Sequence, residues 1–335
     1  MRKIKWGILG LGNIAHKFCQ DLQLVNDSEL VAVSSSSFER AKDFAQQYNV
    51  LKFYGNYEEL YNDSDIDIIY IASIHTHHAQ HSISAMKAGK SVLCEKPLAM
   101  NKPQVLKMID VSKKYSVFLM EGLWTRFNPI IQKAHSLVNH GELGDITYMN
   151  ASFNFYGLDR SKNSRIFDPQ KGGGALLDIG IYCVFLAYLF LGKPQKVFCD
   201  SILSNDKVDL QTAIIFQYQK AQAILHCGFL NNEHMIAKIA GTKGELQLNH
   251  QWHNPPSMTI FKRDSHSKTI DFKKEGIGFT HQIQHCNKSL RENKLESHVW
   301  SHRNSIDLMT LLDQIKTKCH IVYPKEALLE NFSSD

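Results

Sequence analysis

Apolar positions in the first third of the chain come in short strand-like runs, at 4–9, 29–34, 66–73, 91–94 and 118–121, with a shorter one at 53–54. Between them lie stretches whose apolar side chains recur at helical spacing, beginning at 13, then at 38–48, 57–61, up to 88, and at 102–115. Strands alternating with amphipathic helices predict an α/β fold with a doubly wound parallel sheet. From about residue 147 the pattern changes. The segment 209–229 alternates apolar and polar positions and breaks at Gln219-Lys220, the signature of a mainly antiparallel sheet with one face turned to solvent or to a partner. The stretch 174–191 is apolar nearly all round and predicts a buried helix, while 300–318 regains a helical period and can return to the first domain. The expected division is therefore 1–122 for the first domain and 123–335 for the second.

A chain of 335 residues with 43% hydrophobic and 21% charged content has material for two globular cores. Its formal charge of +5 comes from Lys and Arg scattered without a basic block, which argues against a nucleic-acid partner. The basic start Arg2-Lys3-Ile4-Lys5 is followed by an apolar run broken at Gly7 and Gly10, so it reads as a strand and not as an export signal. No unbroken apolar stretch of bilayer-spanning length is evident, so no membrane is expected. Seven cysteines form no C-x-x-C pair and read as free thiols of a reducing, cytoplasmic setting. His75, His77, His78 and His81 cluster, but no acid or thiolate stands at ligand spacing, so no metal is expected.

The turn Gly10-Leu11-Gly12-Asn13-Ile14-Ala15, between a predicted strand and a predicted helix, has the form of a dinucleotide site. Gly10 allows the sharp turn, Gly12 brings bare backbone to a pyrophosphate, and the N–H groups of Asn13 and Ile14 open the helix toward it. The same turn would also serve any tight strand-to-helix junction. At the end of the second strand an NAD site offers an acid to the ribose, whereas this chain reads Val33-Ser34-Ser35-Ser36-Ser37. Ser35, Ser36 and Ser37 can donate to a 2′-phosphate and Arg40 can add charge, which favours NADP over NAD. The alternative for Arg40 is a solvated helix residue.

Longer motifs narrow the family. Tyr70-Ile71-Ala72-Ser73 precedes His78, and Ala88-Gly89-Lys90 leads through Leu93-Cys94 to Glu95-Lys96-Pro97-Leu98. Further on stand Met120-Glu121-Gly122-Leu123-Trp124-Thr125-Arg126-Phe127, then Gly172-Gly173-Gly174-Ala175-Leu176-Leu177-Asp178-Ile179-Gly180-Ile181-Tyr182, and finally Gly241-Thr242-Lys243-Gly244 and Tyr323-Pro324-Lys325-Glu326. With these blocks the chain resembles the glucose–fructose oxidoreductase/inositol dehydrogenase family over nearly its whole length, and within it the dimeric dihydrodiol dehydrogenase branch, which includes NADP-dependent xylose dehydrogenases. The resemblance implies an N-terminal Rossmann domain, a C-terminal α/β domain with a large open sheet that forms a homodimer surface, and a substrate cleft between the domains. It implies hydride transfer between a nicotinamide and the secondary alcohol or carbonyl of a sugar, polyol or trans-dihydrodiol. Lys96, Asp178 and Tyr182 match the family's catalytic positions, and Ser73, His75, His78, Glu95, Lys96 and Arg126 are expected on the cofactor. One departure is Ser36, aligned where relatives commonly have arginine.

The residue types suit that chemistry. Oxidising an alcohol needs a base for the hydroxyl proton, and a phenol becomes one when a cation such as that of Lys96 stabilises its phenolate. Asp178 precedes Tyr182 by one regular helical turn, which would set both on one face. Trp124, Phe155, Tyr156 and Phe279 are candidate substrate contacts, since aromatic faces stack on a sugar ring or a hydrocarbon diol. Structural alternatives stay open: Lys96 on the cofactor ribose only, Asp178 as a helix cap, Tyr182 and the aromatics as core. A non-catalytic dinucleotide-binding regulator of the same fold is the second functional reading, and a hydrolase using the histidines is a remote third.

Overall fold

A computed structural model describes residues 2–161, 164–263 and 266–324; Lys325 and Glu326, the end of the C-terminal motif, lie outside them. The first unit comprises Met1–Trp124 and Lys274–Ile306, and the second Thr125–Lys273 and Asp307–Asp335. The return to the first unit thus runs over 274–306, and the helix placed at 300–318 begins in one unit and continues in the other.

In the first unit the order is β1 (Ile4–Leu9), α1 (Asn13–Leu22), β2 (Ser28–Ser34), α2 (Phe38–Tyr48), β3 (Lys52–Tyr54), α3 (Tyr57–Asn62), β4 (Ile68–Ile71), α4 (His78–Lys87), β5 (Ser91–Glu95), α5 (Lys102–Tyr115) and β6 (Leu119–Gly122). The strands pair in parallel in the order β3-β2-β1-β4-β5-β6, so the chain winds outward both ways from β1 and β4. Local chemistry sets the helix starts: Ser37 caps α2 and Asn101 caps α5, each accepting the N–H three residues on, with Pro103 in the first turn of α5.

The second unit contains α6 (Pro129–Asn139), β7 (Ile146–Asn154), α7 (Ile181–Leu191), β8 (Lys196–Leu203), β9 (Asp209–Gln217), β10 (Gln222–Gly228), β11 (Ala237–Gly241), β12 (Gly244–Leu248), β13 (Ser257–Lys262) and β14 (Lys268–Asp271). Its eight strands run β14-β13-β12-β11-β7-β10-β9-β8, antiparallel except for β7 beside β10. Alternation along β9 and β10 buries Ile214, Phe216, Ala223 and Leu225 and leaves Ile215 and Ile224 outward. Pairing aligns Ile224 with Ile215 and Ile215 with Phe198, a row of large apolar side chains on the outer face. After β14 come α8 (Thr280–Arg291), in the first unit, and α9 (His302–Lys318).

Two expectations need correction. The segment Pro169–Leu191 does reach the length and apolarity of a membrane-crossing helix, because its apolar run is interrupted only by Asp178, yet 78% of that window is buried inside the protein. Asp178 and Tyr182 are not on one regular helix: Leu176–Gly180 forms a π turn, and α7 begins only at Ile181.

Candidate active site

The turn after β1 meets the demands of a dinucleotide. Gly10 has φ +86, and a Cβ there would lie 2.8 Å from the Ala72 carbonyl oxygen, so no other residue fits. At Gly12 a Cβ would meet nothing within 4 Å, so open space lies against bare backbone. Gly12 is also the N-cap of α1 and gives it no side-chain cap, leaving the helix start to a ligand. Beyond β2, Ser35 is buried and accepts the Ser37 N–H, whereas Ser36 and Arg40 are exposed, beside the equally exposed Glu39. These residues fit a pyrophosphate at Gly10-Gly12 and a charged group at Ser36 and Arg40.

Lys96 stands half-buried at the end of β5, followed by a cis bond to Pro97, in a turn pinned on two sides. His78, fully buried at the start of α4, sets Nδ1 2.7 Å from the Pro97 carbonyl oxygen and Nε2 3.1 Å from that of Ser73. Both of its ring nitrogens are engaged by backbone, so it holds the Lys96 turn to the end of β4. From the other side, the Leu98 N–H donates to Glu121 Oε1 at 2.9 Å. Glu121 Oε2 accepts from Trp300 Nε1 at 3.1 Å and Ser305 Oγ at 2.6 Å. Glu95 accepts from the Tyr70 hydroxyl at 2.5 Å and the Lys96 N–H at 3.2 Å. Burial pushes both glutamates above the usual carboxylate range, against the pull of these donors and of the Lys96 charge. His75 is buried edge-on to His78 at 5.6 Å, and Ser73 is half-buried.

His81 belongs to the core. Its Nδ1 lies 2.8 Å from the Tyr61 hydroxyl, and burial lowers its pKa to about 4. Among the described residues no group of three or more His, Cys, Asp or Glu has metal-binding geometry. Phe279 is likewise a core residue, 1% exposed, stacked on Trp124 at 4.8 Å and edge-on to Phe18. Trp124 is half-buried beside it.

In the second unit, Asp178 lies in the π turn and takes Arg165 at 2.8 Å. Asp178 is thus an ion-pair partner, not the helix cap. Gly174 just before it approaches Asp209 so closely that a Cβ would fall 2.0 Å from Oδ1. Asp209 is buried, accepts the Leu176 N–H at 2.6 Å, and has its pKa raised to about 7 by burial. Tyr182, 6% exposed in the first turn of α7, lies 5.7 Å from the ring of Phe153 and 5.8 Å from that of His253. Phe153 and His253 stack at 4.4 Å. The loop carrying His253 is held by the Thr125 hydroxyl on the His253 carbonyl at 2.5 Å and by Asn128, which caps α6 and donates to Asn254 at 3.0 Å. Phe155 points elsewhere, packing on Phe229 at 5.1 Å with the Arg160 guanidinium 4.5 Å above its ring. Tyr156 is exposed, and Arg126 is half-buried. Phe153, His253, Arg165 and Glu121 escaped the sequence reading. A lone acid closing the apolar strand β6 was a signal available for Glu121; the other three are set by distant pairing and loop packing.

A glycine turn opening onto an uncapped helix, on the central strand of a parallel sheet, defines a dinucleotide-binding fold. The description "oxidoreductase family, NAD-binding Rossmann fold" matches residues 4–123, and the GFO/IDH/MocA C-terminal domain matches 131–247. The chain is 35% identical over 331 residues to trans-1,2-dihydrobenzene-1,2-diol dehydrogenase of Xenopus tropicalis, covering 96% of this chain and 99% of that protein. The enzyme of the same name from Homo sapiens is 32% identical over 334 residues, with the same coverage. The chain belongs to this oxidoreductase family. Among solved structures, a 3-ketoreductase from Actinomadura kijaniata, in complex with NADP and TDP-benzene, superposes with TM-score 0.86 at 24% identity, covering 95% of this chain and 98% of that one. Levoglucosan dehydrogenase superposes with TM-score 0.87 at 18% identity, covering 96% and 97%.

Proposed function

We propose that this protein is an NADP-preferring dehydrogenase that oxidises a secondary alcohol of a sugar, polyol or trans-dihydrodiol, or reduces the corresponding carbonyl. The observation that carries this reading is the near full-length similarity to diol dehydrogenases, with Lys96, Asp178 and Tyr182 present in the motifs that the family resemblance marks as catalytic. The bound nicotinamide would supply the hydride acceptor. Tyr182 takes the hydroxyl proton, and Lys96 stabilises the negative charge that develops on oxygen. Asp178 fixes Arg165, whose charge then orients the substrate rather than the helix. His78 and Glu121 keep the Lys96 turn in place, so the ammonium need not be reorganised during the reaction. Phe153 and His253, beside Tyr182, are the aromatic contacts for the substrate in this reading, in preference to Phe155 and Phe279.

The NADP preference is supported by the missing acid after β2 and by exposed Ser36 and Arg40. A homodimer formed through the outer face of the eight-stranded sheet is supported by its row of exposed apolar side chains. The free cysteines support a reducing, cytoplasmic setting. A panel of aldoses, polyols and trans-diols, read by NADPH absorbance, tests the activity. Reduction of NADP by at least one class is the expected outcome; dinucleotide binding with no turnover on any would instead identify a regulator of the same fold.

A further inference from the structure

Cys199 and Cys319 lie far apart in the sequence, and the structure brings their thiols together within the second unit. Cys199 is on the inner side of β8, between outward Phe198 and Asp200, and its Sγ lies 3.9 Å from the carbonyl oxygen of Ile315 in the last turns of α9. That same carbonyl accepts the Cys319 N–H at 2.9 Å, so both cysteines converge on one turn. Their side chains hydrogen-bond each other, and the Cys319 sulfur also takes the Ser201 side chain, from the next inward position of β8. Ser201 is itself held by Thr212 at 2.8 Å.

We propose that Cys199 and Cys319 are an oxidisable dithiol that closes to an intramolecular disulfide when a small hydroperoxide reaches it. The Cys319 thiolate attacks the peroxide oxygen, the O–O bond breaks, and two electrons pass from sulfur to oxygen. The departing hydroxide or alkoxide is protonated, and a sulfenic acid remains on Cys319. The Cys199 sulfur then gives up its proton and attacks the sulfenic sulfur. An S–S bond forms, the S–O bond breaks, and hydroxide leaves as water. In sum, two thiols and one hydrogen peroxide give one disulfide and two waters.

The environment separates this pair from the other cysteines. Donation from Cys199 and Ser201, with the Lys318 charge nearby, lowers the Cys319 thiol against burial and the Asp200 charge, and the same contact raises Cys199, which marks Cys319 as the thiolate of the pair. Cys94, Cys183, Cys227 and Cys286 are fully enclosed and burial pushes their thiols up, so they stay protonated. Cys199 is half-buried and gives a small oxidant its way in. Neither cysteine belongs to the machinery assigned to the reaction.

The test uses the full-length protein treated with hydrogen peroxide, quenched with an alkylating agent, digested and mapped by mass spectrometry. A peptide linked through Cys199 and Cys319 is expected in at least about tenfold excess over any other linked pair, following the thiolate's selectivity. In Cys199→Ser the sulfenic acid on Cys319 has no resolving thiol and should persist, to be trapped by dimedone. Recovery of both cysteines as reduced thiols at a peroxide dose that oxidises the half-buried Met235 overturns the proposal. So does preferential linkage of any other pair. Should Cys199→Ser fail to fold, the wild-type linkage map alone decides.

Discussion

In the parallel sheet every residue of β4, β5 and β6 is buried, whereas in the eight-stranded sheet Phe198, Ile202, Ile215 and Ile224 stand 40–55% exposed. Both sheets use the same β-branched and aromatic residues. The difference is what covers them: crossover helices close both faces of a parallel sheet, while a hairpin-connected sheet can leave one face bare. An exposed apolar face of that kind is where the proposed homodimer would form. Both units bury acids: Glu95 and Glu121 in the first and Asp209 in the second are all raised by burial against the pull of their donors.

The sharpest way to break this contrast is to place the same charge in each sheet. Ile69→Glu puts an unpaired carboxylate in the centre of β4 and should cost more than about 3 kcal/mol, abolishing soluble folded protein. Ile224→Glu, on the outer face of the second sheet, should leave circular dichroism intact and convert the proposed dimer to a monomer in sedimentation. If both variants fold and assemble alike, the contrast between the sheets is wrong. Next in size come the catalytic positions. Tyr182→Phe should lower turnover by about 100- to 10,000-fold with NADP binding nearly unchanged, while Lys96→Met should harm both turnover and binding. Calorimetry beside rapid-mixing kinetics separates these outcomes, and near-full turnover in Tyr182→Phe would make that residue packing only.

Asp209 tests what burial does to an acid in the second unit. Its folded pKa is raised above the ordinary 3.8, so the stability it contributes is present at low pH and is lost as pH rises through about 7. The wild type should lose up to about 4 kcal/mol between roughly pH 4 and pH 7 from this group, and Asp209→Asn should flatten that part of the urea-unfolding profile. A profile with the same slope in both proteins would remove Asp209 as its source. The smallest effect belongs to Arg40. Exposed on α2, it should be worth about 1 kcal/mol to a 2′-phosphate, so Arg40→Ala should weaken NADP binding about fivefold and leave NAD binding unaltered. Equal weakening of both cofactors would mean that Arg40 does not read the phosphate.

The first unit was the more legible in sequence because its signals are local. Each strand is a short apolar run, α1, α2 and α5 open on a glycine turn, Ser37 and Asn101, and the Gly10-Gly12 site is complete within six residues. The motif Glu95-Lys96-Pro97 could be read, but not the clamp around it. His78 and Glu121 reach Pro97 and Leu98 only after three strands have aligned, and no periodicity encodes that. In the second unit residue type alone does not tell which ring meets Tyr182. Phe153 and Phe155 lie two residues apart beside the end of β7, yet Phe153 faces Tyr182 and Phe155 turns to Phe229. The regular spacing assumed for Asp178 and Tyr182 failed at the π turn, whose glycine run packs against Asp209 from a distant strand.

The carboxylates of the first unit also fix a timetable for the chain on the ribosome. Asp21 accepts the N–H groups of Ile277, Gly278 and Phe279, Trp6 donates to Asn287, and Glu121 waits for Trp300 and Ser305. A nascent chain that has emerged only as far as residue 124 already holds all six parallel strands but leaves these groups without their partners. A fragment cut there would leave Asp21 and the Trp6 indole without these partners and Glu121 with only the Leu98 N–H among those named here.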